Sequence, residues 1–147
     1  MRLKTFNYKS VQSTNNVAIN IIKKTKNKSG IIIAEKQIDG RGQYGKKWIS
    51  YKGNLFATIF FSINKINISL KEFTYVNCTL IRKLISIFYK ENIIIKRPND
   101  LLINGKKVCG ILQETIFKSN EKFIIIGIGL NIIKSPNIKN YPTTNLY

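Results

Sequence analysis

Two stretches of the sequence hold residue types suited to chemistry on anions. The first is "IIIAEKQIDGRGQYGKKW", residues 31–48, in which Gly40-x-Gly42-x-x-Gly45 surrounds Arg41 and runs into Lys46 and Lys47. Glycines let backbone N–H groups approach a bound anion closely, and arginine grips phosphate or carboxylate through two parallel hydrogen bonds. The same spacing is a dinucleotide-binding fingerprint, which needs a helix directly after the loop and an acid about 20 residues further on. Here Trp48 leads to Gly53 and a strand-like run, and the acid's position falls near Phe60 in "TIFFS". The dinucleotide reading fails on context. An anion clamp or a basic surface loop between two strands remains.

The second stretch is "KRPNDLLINGKKVCGILQE". It sets Lys96, Asn99 and Asp100 around a proline turn, with Lys107 and Gly110 on the far arm of a hairpin. Asp100 is one of only two aspartates in the chain. A carboxylate among Lys and Arg is either an ion-pair hub or a seat for a hydrated Mg²⁺, which takes one or two carboxylates and shares its ligand's phosphates. Lys107 stands beside Val108, Cys109 and Gly110, so its stem is expected to be buried. An unpaired buried ammonium is costly or loses its proton. A small anionic ligand would satisfy it, and so would Glu114 or Asp100.

These residues need a scaffold, and the patterning predicts one. "STNNVAINIIKKT" (13–25) opens on cap-forming residues and places Val17, Ala18, Ile21 and Ile22 on one helical face. "GIIIAEKQ" (30–37) and "NLFATIFFSI" (54–63) read as strands, with the three-glycine segment between them as loop. Ser69 and Glu72 stand at capping-box spacing before a long amphipathic helix, whose expected inner face is Leu70, Phe73, Val76, Leu80, Leu84, Ile87 and Phe88. "IIIK" (93–96) is a strand, Asn104-Gly105 turns a hairpin, and 122–132 forms a last strand after a Ser-Asn-Glu turn. Residues after 133 read as loop. The order αββαββββ predicts an α+β domain, a mainly antiparallel sheet with helices packed on one face.

Composition narrows the function classes. A chain of 147 residues with 44% hydrophobic content supports one domain with a real core. No uncharged apolar run reaches the ~18 residues of a membrane span, and the first residues lack the apolar core of a signal peptide, which predicts a cytoplasmic protein. Histidine is absent, and Cys78 and Cys109 are far apart in apolar surroundings, so a structural zinc site is not expected. The net charge of +18 comes mostly from lysines spread along an Asn- and Ile-rich chain. That pattern fits genome composition as well as a nucleic-acid surface, so a non-catalytic polyanion-binding module stays open as a rival reading.

Taken together and in order, "STNN", "AEKQIDGRGQYGKKW", "KRPNDLLINGKKVCGILQE" and "GIGLNI" resemble the catalytic domain of biotin protein ligases. That family carries S-T-N, Q-x-x-G-R-G-x-x-G-x-x-W, K-W-P-N-D followed by K-x-x-G-I-L-x-E, and G-x-G-x-N. The resemblance spans residues 8 to about 147. It implies a fold like class II aminoacyl-tRNA synthetases, and formation of biotinyl-5′-AMP from biotin and MgATP. Transfer of biotin to one lysine of a carrier domain follows, with ATP and Mg²⁺ as cofactors. It implies that Ser13, Thr14, Asn15, Gln37, Gly40, Arg41, Gly42, Gln43, Trp48, Lys107 and Gly110 surround biotin. Arg41, Lys96, Asn99, Asp100 and Asn131 would meet the nucleotide, Asp100 would meet the metal, and Arg41 and Lys107 would be catalytic.

The sequence departs from the pattern at two points. Gln43 replaces a second basic loop residue, which predicts weaker retention of the adenylate, and Arg97 replaces the tryptophan of K-W-P-N-D. Family members continue with further helices and a small β-barrel, and bifunctional ones begin with a helix-turn-helix; the sequence, ending at Tyr147, is expected to lack both, so specific DNA binding is not expected. Its partner would be the biotin carboxyl carrier domain of an acetyl-CoA carboxylase or similar enzyme, and it admits a homodimer. A lipoate or other acyl ligase on the same fold is the nearer alternative.

Overall fold

The computed structural model describes residues 3–147. Seven strands form one sheet: β1 (Lys4–Tyr8), β2 (Ser29–Ala34), β5 (Leu55–Ser62), β6 (Ile93–Lys96), β7 (Asp100–Ile103), β8 (Lys106–Lys118) and β9 (Glu121–Leu130). Their spatial order is β1-β2-β5-β9-β8-β7-β6. Only β1 and β2 run parallel; every other neighbouring pair is antiparallel. The glycine-rich segment contributes a separate two-stranded ribbon, β3 (Gly40–Arg41) against β4 (Lys47–Trp48). Two helices complete the domain, α1 (Thr14–Lys24) and α2 (Leu70–Phe88).

The α+β class and the mainly antiparallel sheet are as expected. The helices, however, are divided between the two faces rather than gathered on one. Along β9, Phe123 and Ile125 pack with Ala18 and Ile22 of α1, whereas Ile124, Ile126 and Ile128 pack with Cys78 and Ile85 of α2. Adjacent residues of a strand point to opposite faces, so two clusters that alternate along one strand lie on opposite sides of the sheet. "FIIIGIGL" is apolar at nearly every position because its strand is covered on both sides.

Three further expectations change. β1 was invisible to patterning because it is an edge strand whose five residues are exposed save a half-buried Phe6. Three glycines do not exclude regular structure in 40–48: the ribbon closes through a tight turn, Gln43–Gly45, in which Tyr44 and Gly45 take left-handed φ values of 55° and 72°. The third change is the inner face of α2. Phe73, Asn77, Cys78, Ile81 and Ile85 face the sheet, while Val76, Leu80, Leu84, Ile87 and Phe88 are exposed, by 44% to 77%. Two apolar stripes coexist on this helix, and periodicity alone cannot say which one meets the sheet.

Local chemistry was more legible. The capping box is complete, with the Glu72 amide donating to Ser69 Oγ and the Ser69 amide to Glu72 Oε2. Asn104 and Gly105, with φ of 48° and 75°, form the two-residue turn between β7 and β8, where Ile103 pairs with Lys106. Ser119 and Asn120 make a similar turn between β8 and β9, with φ of 48° and 62°.

Candidate functional site

Glycines on the α1 face of the sheet set where a ligand can lie. Gly110 of β8 pairs with Gly129 of β9, and Gly127 lies two residues along. A methyl group on Gly129 would stand 2.4 Å from Trp48 Cε2, one on Gly110 2.8 Å from Trp48 Cζ3, and one on Gly127 2.3 Å from Asn15 Oδ1. No carbon tolerates such approaches, so the missing side chains are what let Trp48 and Asn15 rest on the strands. Gly129→Ala is expected to lift the indole, shift the emission of the chain's only tryptophan to longer wavelength, and cost about 1–3 kcal/mol as overpacking. Unchanged emission would mean that the ring does not rest on β9.

The start of α1 supplies the polar wall. Gln37 Oε1 accepts from the Thr14 amide at 2.9 Å and from Thr14 Oγ1 at 3.1 Å. The Thr58 hydroxyl, on β5, lies 2.8 Å from Thr14 Oγ1 and 2.7 Å from Asn15 Oδ1. Asn15 Nδ2 then donates to Glu114 Oε2 at 2.8 Å. Ser13 occupies the N-cap position, yet its buried side chain makes no capping bond. Its hydroxyl is therefore not committed to the helix.

Two ion pairs finish the wall. Arg41 grips Glu114 with both terminal nitrogens, at 2.8 and 2.7 Å, across the opening between ribbon and sheet. Burial pushes the Glu114 carboxyl up, but hydrogen bonds from Arg41 and Asn15 and the guanidinium charge outweigh it and hold the group below its ordinary 4.5. A depressed folded-state value means stability that is present above about pH 4.5 and is lost as pH falls through that depressed value. The melting-temperature advantage of the native chain over Glu114→Gln should therefore be full at pH 7 and shrink as the pH drops below 4.5. An advantage that survives to pH 2 would exclude this ion pair as its source.

The second pair joins Lys107 Nζ to Asp100 Oδ1 at 2.9 Å, with both side chains at least four-fifths buried. The contact is ionic without hydrogen-bond geometry, since Oδ1 has no hydrogen-bond donor among the described residues. The ammonium also stands 5.2 Å from the Trp48 ring and 5.5 Å from the Tyr141 ring. Tyr141 donates its phenol to Asp100 Oδ2 at 2.5 Å, and burial followed by that carboxylate pushes the phenol far above its usual value, so it remains a donor.

The last residues are more than loop. Pro142 O accepts from the Lys107 amide, Thr144 N donates to Lys107 O, and Asn131 Nδ2 donates to Thr144 O. The chain after β9 is thereby strapped along the Lys107 segment.

The structure brings most of the expected residues together. Ser13, Thr14, Asn15, Gln37, Arg41, Gly42, Gln43, Trp48, Lys107 and Gly110 line one cavity over the glycine floor, and Asn99 borders it. Gly40 is part of the ribbon, paired with Trp48, and does not line that cavity; a methyl there would stand 2.5 Å from the Trp48 carbonyl oxygen. Lys96, Asn99, Asp100, Asn131 and Tyr141 line a wider adjoining cleft that shares Lys107 and Trp48 with the first. Asn131 and Asn99 are also structural, as Asn99 Nδ2 donates to Ile111 O at 2.8 Å. Arg97, in place of the expected tryptophan, stacks its guanidinium 4.3 Å from the Tyr75 ring of α2.

Lys107 chooses Asp100 and leaves Glu114 to Arg41, which sequence could not decide. Thr58 and Tyr141 were missed, and Gly127 and Gly129 were read only as part of the G-x-G-x-N motif, with no role in the site. Alternation along β5 places Thr58 on the same face as Phe56 and Phe60, a signal that was available. For Tyr141 there was none. The two thiols are buried and inert: desolvation pushes Cys78 up to about 11 and Cys109 further still.

Asp100, the carboxylate expected to meet Mg²⁺, faces the Lys107 ammonium and the Tyr141 phenol, and among the described residues no three His, Cys, Asp or Glu side chains cluster, so Mg²⁺ here would take one protein carboxylate and its other ligands from nucleotide phosphates and water.

A glycine-floored cavity, a two-stranded ribbon beside it and two carboxylate-paired cations, Arg41 and Lys107, make up the candidate site of this α+β domain. Comparison with known proteins then gives its family. The model of the biotin/lipoate A/B protein ligase family matches residues 8–131. The bifunctional ligase/repressor BirA of Bacillus subtilis is 34% identical over 111 residues, 73% of this chain and 34% of that protein. The biotin–[acetyl-CoA-carboxylase] ligase of Paracoccus denitrificans is 28% identical over 112 residues, 74% of this chain and 47% of that one.

Among solved structures, the biotin protein ligase of Aquifex aeolicus in complex with biotin and ATP superposes with a TM-score of 0.77 at 26% identity, covering 98% of this chain and 60% of that chain. The Leishmania major enzyme in complex with biotinyl-5-AMP shares the fold, with a TM-score of 0.83 at 24% identity, covering 99% of this chain and 64% of that one. The chain belongs to the biotin/lipoate A/B protein ligase family, and its relatives place it with the biotin protein ligase catalytic domains. It spans about a third to a half of the curated relatives' length, 34% and 47% in these two cases.

Proposed function

We propose that this chain is the catalytic domain of a biotin–[biotin carboxyl carrier protein] ligase. It would form biotinyl-5′-AMP from biotin and ATP, and pass biotin to a carrier lysine. The observation that carries this reading is the placement of Lys107 at the junction of two cavities, one floored by glycine and walled by Trp48, the other wide and cationic. Biotin would occupy the first, its ring system against Trp48 and its head group on Ser13, Thr14, Asn15 and Gln37. Its carboxylate would reach Lys107.

In the first step a carboxylate oxygen attacks the α-phosphorus of ATP and pyrophosphate leaves. Two anions must be brought together, so the work of the protein is positioning and charge neutralisation. Lys107 neutralises the carboxylate and then the new acyl–phosphate junction. Arg41 exchanges Glu114 for phosphate as Gly42 and Gln43 close over the adenylate; its Nε and Trp48 Nε1 are buried donors without partners among the described residues, as a ligand-ready wall would have. Lys96, Asn99, Asp100 and Asn131 border the nucleotide, and Mg²⁺ travels with ATP as part of the substrate. In the second step the carrier's lysine amine attacks the acyl carbon and AMP leaves. Neither step needs an enzyme nucleophile.

The partner would be a biotin carboxyl carrier domain, met in the cytoplasm. Among the described residues no helix is long and apolar enough to cross a membrane. The stretch 113–118 of β8 pairs with β9 alone, since β7 reaches only to Gly110, and this open edge is where a carrier or a second copy would add a strand.

The test is mass-spectrometric detection of biotinyl-AMP, with pyrophosphate release, from purified protein with MgATP and biotin or lipoate. Biotinyl-AMP supports the reading, and lipoyl-AMP alone would replace it with the lipoate alternative. No adenylate, with nucleic-acid binding that falls steeply with salt, would favour the polyanion-binding module suggested by the +18 charge.

A further inference from the structure

Lys107 is held from two sides by the chain's last residues. Its backbone N–H and carbonyl bond to Pro142 and Thr144, and the residue just before that clamp, Tyr141, reaches the carboxylate that pairs with its ammonium. Asp100 has two oxygens and one ammonium close by. Oδ2 is taken by the Tyr141 phenol at 2.5 Å, so only Oδ1 meets Lys107, at 2.9 Å. Lys96 holds the phenol from outside, with its ammonium 3.4 Å from the phenol oxygen and 4.6 Å from the ring centroid. Tyr141 has no part in the binding and catalytic roles that the ligase reading gives the other residues of the site.

We infer that Tyr141 is a positioning residue for Lys107: by occupying one oxygen of Asp100 it confines the ammonium to a single-oxygen contact and leaves its remaining protons for a substrate anion. The inference rests on the ligase reading of the same site and deepens it. An ammonium chelated by both carboxylate oxygens would be held back from a second carboxylate. A carboxylate whose other oxygen accepts a strong hydrogen bond pulls less on the cation and cannot rotate. Removing the phenol oxygen while keeping the ring separates this role from packing.

The experiment is a double-mutant cycle on the full chain with Tyr141→Phe, Asp100→Asn and the pair, read in two ways. The first readout is the steady-state rate of biotinyl-AMP formation. Tyr141→Phe should lower kcat about tenfold, the scale of one hydrogen bond to a charged group, with KM for ATP changed less than about twofold. In the Asp100→Asn background the same substitution should have no further effect. The second readout is the NMR signal of the Lys107 ε-methylene, assigned by its loss in Lys107→Arg, which should move in Tyr141→Phe whether or not the chain turns over.

A full-rate Tyr141→Phe, or equal losses with and without Asp100, would overturn the inference. An unmoved Lys107 signal would overturn it as well. If the native chain forms no adenylate while the signal moves, the positioning role stands and the ligase reading falls.

Discussion

Replacing Lys107 by alanine is expected to slow biotinyl-AMP formation by about 10²–10³, the usual loss when one preorganised charge donor is removed from an oxyanion-stabilising site. The same is expected of Arg41→Ala. The two should differ in ground-state binding. Lys107 stands between Asp100, the Trp48 ring and the Tyr141 ring, where its charge is shielded from water and acts at short range. Its loss should therefore also weaken biotin binding. Arg41 is about one-third exposed, and its fork is satisfied by Glu114 when no ligand competes. Its loss should spare biotin affinity and appear in the adenylate half. Pyrophosphate release and calorimetric biotin binding on both variants check this, and a loss below tenfold at both positions would remove them from the chemistry.

The second large effect concerns the scaffold. Phe60→Ala is expected to cost about 3–5 kcal/mol, the range for truncating a buried aromatic. Phe60 is fully buried under α1 with Ala18, Ile22, Ile32, Phe123 and Ile125. Two residues along the same face of β5 stands Thr58, the hydroxyl that ties Thr14 to Asn15. The variant should thus lower the midpoint of urea unfolding and loosen the polar wall together. A stability loss under about 1 kcal/mol would mean that α1 packs on the sheet independently of Phe60.

Much of this domain was legible from local sequence. The Ser69–Glu72 capping box, the Asn104-Gly105 turn and the strand runs formed where their residues predicted, because each depends on contacts within a few positions of the chain. The rejection of the dinucleotide fingerprint also held, since Gly45 leads through the ribbon to β5 and not into a helix. The four motifs, in their order and spacing, point to the family by themselves, and the family match over residues 8–131 agrees with them.

What failed were choices between equivalent local options. α2 carries two apolar stripes, and the one expected to be inside, through Leu80 and Leu84, is outside. β1 carries almost no buried pattern because it closes the sheet at an edge.

By itself, then, the sequence determined much of the inventory: the two helices and the longer strands, where they turn, and which glycines, cations and amides are present for anion chemistry, though not the edge strand β1 or the ribbon at 40–48. Only the tertiary structure decided the partners. It gave Asp100 rather than Glu114 to Lys107, set α1 and α2 on opposite faces, laid Trp48 across Gly110 and Gly129, and brought Tyr141 back onto Asp100 from 41 residues away. The physical reason is range. Caps, turns and periodicities are settled by neighbours along the chain, whereas ion pairs and face assignments are settled by which surfaces remain to be covered once the sheet has formed.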